Sequence, residues 1–206
     1  MAYRKTDRVR EQLEDKRLRI LSATRHLVME GGSLDAPIVE VARRASVATG
    51  TVYRYFPSKT DLLTEVVRLA SQHELDVIAG IAQSDARARD RLDTAVSTFV
   101  DRALRGARLA RLLIVEPIDV GISGARRHYR RALALVIARI VADGVETGEF
   151  AQQNPAAAAA AIVGALMESL NDALATESAV TEEPSVDLVD EMRAFCLRAV
   201  DASKTH

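Results

Sequence analysis

Residues 42–63 read ARRASVATGTVYRYFPSKTDLL, and this stretch decides the fold. At its centre, Thr49-Gly50-Thr51-Val52-Tyr53-Arg54-Tyr55-Phe56 places Val52 and Phe56 four positions apart. That is the spacing of one helical face, here turned inward. Thr49 is a good residue type to open a short helix as its N-cap. Pro57 stops the helix, because the residue before a proline is pushed out of helical conformation. Ser58, followed by Asp61 at the third helical position, predicts a reciprocally capped start for the next helix. Leu62, Leu63, Val66, Val67 and Ala70 form the apolar face of that helix, which runs toward Gly80.

The outward face of residues 49–56 carries a different chemistry. Gly50 has no side chain and lets the backbone come close to a surface. Thr49 and Thr51 offer hydroxyls, and methyls that can touch a thymine methyl. Arg54 can pair with guanine or a phosphate, and Tyr53 and Tyr55 can donate to phosphates. Lys59 lies at a helix N-terminus, where free N–H groups and the positive dipole end favour a phosphate. A single aromatic in a helical chain is ordinarily core. Here two of the four tyrosines fall within three residues, beside Arg54 and Lys59, at the basic end of the chain. The functional reading is preferred.

Upstream, residues 4–17 form a charged run, read as a frayed arm leading into a first helix. Leu13, Ile20, Ala23 and Leu27 recur there at helical spacing, widened by Leu21 and Val28. Gly31-Gly32 ends that helix. Residues 33–36 read as loop. Pro37 fits the first turn of a second short helix, which Ile38, Val41, Ala42 and Ala45 anchor. Ser46-Val47-Ala48 turns the chain into the third helix. A short second helix, a turn and a short polar third helix make up the helix-turn-helix layout, in which the last helix enters the major groove.

Downstream, helices are expected over residues 86–104, 107–116, 125–144, 155–176 and 186–202. Residues 120–124 read as loop, 148–154 as a turn and 177–184 as an acidic linker. The fold class is therefore all-α with about nine helices. It comprises an N-terminal three-helix helix-turn-helix domain (residues 1–62, with its arm) and a larger helical ligand-binding and dimerisation domain (residues 63–206).

The motif in residues 42–63 resembles the DNA-binding signature of the TetR family of repressors, most specifically in TGTVYRYFPSKTDLL. The resemblance extends over roughly residues 16–70. Beyond that the chain matches the family only in the number and length of its helices. It implies an all-helical homodimer that binds double-stranded DNA at a palindromic operator. Tyr53, Tyr55 and Lys59 would contact phosphates, and Thr49, Gly50, Thr51 and Arg54 would face bases or backbone. It also implies a C-terminal pocket for a small-molecule effector and a four-helix dimer interface. Effector binding would shift the fourth helix and spread the two reading heads. Two positions depart from the family pattern. Ala36-Pro37 stands where a Thr or Ser often meets a phosphate, a contact that Arg43 or Arg44 could replace. Ser46 stands where the turn usually has Gly, which strains the backbone if the position is left-handed.

For the body, the candidates to line a pocket are Phe99, Leu104, Leu113, His128, Tyr129, Met167 and Asn171. For each, ordinary core packing is the competing role, and the sequence leaves open whether the helices enclose a cavity. The basic cluster at residues 126–131 reads mostly as a solvated face. Ala156–Ala161 offers small side chains for close helix approach. Ile162, Val163, Leu166, Leu170, Val189, Met192 and Phe195 add an apolar face expected at a homodimer interface, since monomers rarely expose a patch of that size. The competing role is packing within the chain.

Bulk properties agree. The chain has 206 residues, 48% hydrophobic and 28% charged, with 4% aromatics and no Trp. This is the profile of a globular helical protein. Net charge is -1, yet residues 1–60 hold twelve Lys/Arg against seven Asp/Glu, leaving sixteen against twenty-two in the rest. A basic end on an acidic body suits a protein that presents one end to a polyanion. One cysteine, Cys196, suggests a reducing compartment, expected to be the cytoplasm. The charged N-terminus is no signal peptide, and residues 155–166 are too short and Ala-rich to span a bilayer.

No zinc-protease, P-loop, dinucleotide-binding or nucleophile-elbow motif is present, and His26, His73, His128 and His206 are scattered. No enzyme activity, cofactor, metal or membrane partner is expected. The leading reading is a ligand-responsive transcriptional regulator, foremost a repressor released from its operator by an effector; activation stays open. An enzyme or sensor without DNA binding and a helical scaffold are the alternatives.

Overall fold

The computed structural model describes residues 2–31, 36–115, 120–175 and 186–201. Nine helices are found there: α1 (Ala2–Gly31), α2 (Ile38–Arg44), α3 (Thr49–Tyr55), α4 (Lys59–Ala82), α5 (Ala88–Arg105), α6 (Ala107–Ile114), α7 (Val120–Glu146), α8 (Pro155–Ala175) and α9 (Val186–Val200). Among the described residues there is no strand, only one isolated antiparallel bridge between Phe150 and Asp201. The expected acidic linker at 177–184 and the loop at 33–35 lie outside the described residues.

The charged N-terminal run is helix, not arm. Pairs at helical spacing, Arg17 with Glu14 and Arg19 with Asp15, sit on its surface and favour the helix over a frayed coil. Leu13, expected on the buried stripe, is exposed. Ile20, Leu21, Ala23 and Val28 are buried, and the Thr24 hydroxyl donates to the Ile20 carbonyl. Helix α7 also begins earlier than expected, taking in residues 120–124. It runs past Gly144 to Glu146. Gly148 then takes a left-handed conformation (φ 75°), and the Phe150 N–H returns to the Gly144 carbonyl at 2.9 Å.

Two caps differ by one residue from the sequence expectation. Pro37 is the N-cap of α2 and lies outside its first turn, with extended backbone whose carbonyl accepts from the N–H groups of Glu40 and Val41. Ala48 is the N-cap of α3, and its carbonyl accepts from the Thr51 N–H at 2.8 Å. Thr49 is the first helical residue. The start of α4 is as expected: the Asp61 N–H donates to Ser58 Oγ, and the Ser58 N–H donates to the Asp61 carboxylate, each at 3.0 Å.

In the body, α4 packs along α7, α7 along α8, and α5 along α9. The core runs continuously from the N-terminal helices into this bundle. The expected dimer residues Ile162, Val163, Leu166, Leu170 and Met192 belong to it. The first, third and fourth of these are each 1% exposed, so these five have almost no area to give a partner. Val189 is half-buried against the same core, while Phe195 is exposed. The same burial bears on α8 as a whole. At 21 residues it is long and apolar enough, by length and composition alone, to cross a membrane, contrary to the sequence estimate. Its large side chains are instead core residues of the bundle. Cys196 is a buried free thiol, and burial pushes it up to about 12.

Candidate DNA-binding surface and effector cavity

Helix α3 is held by its inward residues. Val52 and Phe56 are buried, and the Phe56 ring lies 5.7 Å beneath the Arg17 guanidinium of α1. Arg17 also bonds the Glu65 carboxylate of α4. One arginine thus links α1, α3 and α4. Arg68 in the first place, together with Arg17, holds the Glu65 carboxyl below its ordinary range against the opposing effect of burial. No spacing in the sequence could have found this link, because Arg17 and Glu65 are 48 positions apart.

With α3 fixed, its outer face is presented to solvent. Gly50, Tyr53 and Arg54 are exposed, Tyr53 at 48%. Thr49, Thr51 and Tyr55 are half-buried, Tyr55 packing partly on the core. Lys59 is the first residue of α4 and is half-buried. The turn that aims α3 passes through Ser46, a non-glycine residue with φ 54°. The position is left-handed, so the departure from glycine carries a real backbone cost.

Arg43 and Arg44 lie at the end of α2, next to this face. Both are engaged with carboxylates. Arg43 binds Glu40 through Nε and Nη2, and Arg44 bonds both Glu40 and Glu30. The two guanidiniums hold the Glu40 carboxyl down at about 2.

A second site lies in the body. A cavity of about 310 Å³ opens between α1, α4, α5, α6 and α7. Phe99, Leu113 and Tyr129 line it, as expected. Leu104, His128, Met167 and Asn171 do not. Leu104 packs on the core, Met167 is sealed inside it, and His128 is on the outer side of α7. Residues missed by sequence reasoning complete the wall, notably Arg25, His73, Glu74 and Arg102. Arg102 grips Glu74 through two bonds of 2.8 Å. Beside that pair the buried Tyr129 phenol is pushed well above its ordinary range, first by burial and then by the Glu74 charge. Among the described residues no cluster of His, Cys, Asp or Glu could hold a metal ion.

A helix-turn-helix with an exposed Gly/Thr/Tyr/Arg face, joined through α4 to a helical body containing a cavity, defines a DNA-binding regulator. The family follows from comparison with known proteins. The model of bacterial regulatory proteins of the tetR family matches residues 20–66, and that of the tetracyclin repressor-like C-terminal domain matches residues 122–186. The HTH-type transcriptional repressor KstR of Mycolicibacterium smegmatis is 30% identical over 144 residues, covering 66% of this chain and 68% of that protein. The chain belongs to the TetR family, and it is a ligand-responsive DNA-binding transcriptional regulator.

Solved structures share the fold. The fatty acid degradation regulator FadR from Bacillus halodurans superposes with a TM-score of 0.74 at 20% identity, covering 93% of this chain and 97% of that one. FadR from Bacillus subtilis, solved in complex with stearoyl-CoA, gives 0.73 at 18% identity, covering 89% and 98%.

Proposed function

We propose that the chain is a repressor that occupies a palindromic operator as a homodimer and leaves it when a small molecule fills the body cavity. The observation that carries this reading is the continuity of α4. Its N-terminus abuts the reading helix, and its middle supplies His73 and Glu74 to the cavity wall. A ligand that changes the packing of α4 therefore changes the direction of α3. The domain division at residues 62 and 63 falls inside α4, so α4 is a shared element rather than a linker.

Tyr53, Tyr55 and Lys59 bind phosphates in this reading. Thr49, Gly50, Thr51 and Arg54 face the groove. Arg43 and Arg44 reach phosphates by exchanging their carboxylate partners for DNA. The surface offered to a second copy is the outer side of α8 and α9. There Ala165, Ser169, Ala194 and Phe195 line a shallow depression with Glu191 and Arg198. A two-fold pair would present two reading helices to the two halves of a palindrome. The protein acts in the cytoplasm, where operator DNA is, and its role is regulatory rather than catalytic.

Fluorescence anisotropy against the DNA upstream of its own operon tests the proposal. Saturable, salt-sensitive binding that survives competitor DNA is expected; binding no stronger than to unrelated DNA overturns it.

A further inference from the structure

The cavity wall is chemically two-sided. Phe99, Leu109, Leu113 and Ile114 supply an apolar surface from α5 and α6. The polar lining is unbalanced in charge: Arg25, Arg102 and Arg105 face a single carboxylate, Glu74. Two of these cations are already committed, Arg102 to Glu74 and Arg105 to Asp101. Arg25 on α1 and His73 on α4 are not. Among the described residues neither has a hydrogen-bond or ion-pair partner.

Their position adds a second observation. A smaller cavity of about 230 Å³, between α1 and α4, shares Arg25, His73 and Leu109 with the first. These residues therefore form the boundary where the two spaces meet. A third observation is inside. Tyr129 is 97% buried, being 3% exposed, and lines the cavity. Its hydroxyl makes no hydrogen bond among the described residues, so a donor stands ready for a ligand acceptor.

We infer that the effector is an amphipathic oxyanion, its apolar body held between α5, α6 and α7 and its anionic group held by Arg25 and His73 at the junction of the two domains. This rests on the effector reading of the cavity and specifies the ligand's chemistry. Carboxylate and phosphate share the chemistry of an oxyanion facing N–H donors. Arg25 and His73 are both exposed, so affinity comes mainly from burying the apolar body, and the charges set selectivity. Arg25 belongs to the helix that carries the DNA-binding unit. The anion would thus be gripped in part by the reading head itself, and a ligand would bias that head directly as well as through α4.

The test uses the full chain and three probes of equal tail length: decanoate and decyl phosphate, kept below their micellar concentrations, and 1-decanol, kept below its solubility limit. Calorimetric titration should show at least one anion binding about tenfold tighter than the alcohol, and the tighter anion identifies the group. Arg25→Gln and His73→Gln should each erode that preference, weakening the anions severalfold more than decanol. Both residues are exposed, so the variants should fold, which circular dichroism checks. Equal affinity for anions and alcohol, or a preference that both variants retain, overturns the oxyanion site and leaves the cavity as an effector site. If none of the three probes binds, the effector reading of the cavity falls and this inference with it.

Discussion

Arg108 Nη1 lies 2.8 Å from the carbonyl oxygen of Met29 and 3.1 Å from that of Glu30, so a side chain of α6 closes the last turn of α1. The final carbonyls of a helix have no partner within it, and a cation there satisfies both hydrogen bonding and dipole. The contact also joins the helix that walls the cavity to the helix that carries the reading head.

Arg108→Ala should therefore separate binding from response. The bonds are exposed, so the stability loss should be about 1 kcal/mol. Operator affinity without effector should change little. The effector concentration needed for release should rise severalfold, measured by anisotropy of operator DNA during an effector titration. Unchanged effector sensitivity would show that α1 and α6 are coupled elsewhere.

On the reading surface, different residues should fail in different ways. Lys59→Ala should weaken binding to all sequences and reduce the slope of log K against log salt by about one. Tyr53→Phe should weaken binding across sequences with the slope nearly kept, since a phenol carries no charge. Thr51→Ala should alter sequence preference instead. Titrations at several salt concentrations, on operator variants, distinguish the three. A Lys59→Ala protein with the wild-type slope would exclude the phosphate contact.

Glu40 offers a test of Arg43 and Arg44. Its carboxyl sits at about 2, against an ordinary 4.5, first because Arg43 and then Arg44 bonds its charged form. A depressed carboxyl stabilises the folded state above its unfolded value and loses that contribution as pH falls. The α2 network should thus weaken as pH drops from about 4.5 toward 2, visible in an NMR titration of the Glu40 carboxyl. Glu40→Gln at neutral pH should release Arg43 and loosen Arg44, which keeps Glu30. DNA affinity should rise and the salt slope steepen by up to about one. No change in either would mean that these arginines do not reach phosphates.

How much was legible depends on whether an interaction is local. The helix order, the Ser58–Asp61 capping pair and the inward Val52 and Phe56 are all contacts within four residues, which spacing alone reveals. The caps at Pro37 and Ala48 moved by one residue, because a backbone carbonyl can cap where the side chains of neighbouring residues look better suited. The Arg17–Phe56–Glu65 link was invisible, since it joins α1 to the end of α3 and to α4, far along the chain. Ile162, Leu166 and Leu170 showed an apolar face without showing its neighbour, and the chain's own core buries it. The cavity was half legible for the same reason. Phe99, Leu113 and Tyr129 were found as large residues, whereas Arg25 and His73 reach it only through the packing of α1 on α4 and α6.

Ser46 marks a position where the chain departs from glycine and bears the cost. Its φ of 54° is open to an L-residue only at a penalty. Ser46→Gly removes that penalty but adds freedom to the unfolded chain. The net gain should be about 0.5–1 kcal/mol, or about 2 °C in Tm for a chain of this size. Calorimetry checks it. DNA affinity should be unchanged, since the turn keeps its shape.

Gly144 is the opposite case, a glycine whose missing side chain makes room for a neighbouring ring. A Cβ there would fall 2.1 Å from a ring carbon of Phe150. That ring is buried, and the Phe150 N–H is tied to the Gly144 carbonyl, so it has little room to retreat. The next residues carry the strain onward: the Ala151 N–H bonds the Val200 carbonyl, and Phe150 bridges Asp201, which Arg89 of α5 also binds. Gly144→Ala should therefore cost about 2–3 kcal/mol through overpacking and loosen the end of α9 from α5 and from the segment at residues 150–151. Hydrogen exchange should show protection lost at the end of α9 well before the helix-turn-helix is affected. A Gly144→Ala protein with wild-type Tm would show that the ring moves aside freely. The double variant Gly144→Ala/Phe150→Ala separates the clash from a general defect. Steric conflict predicts that removing the ring recovers the part of the loss due to overlap, leaving only the cost of the missing phenyl.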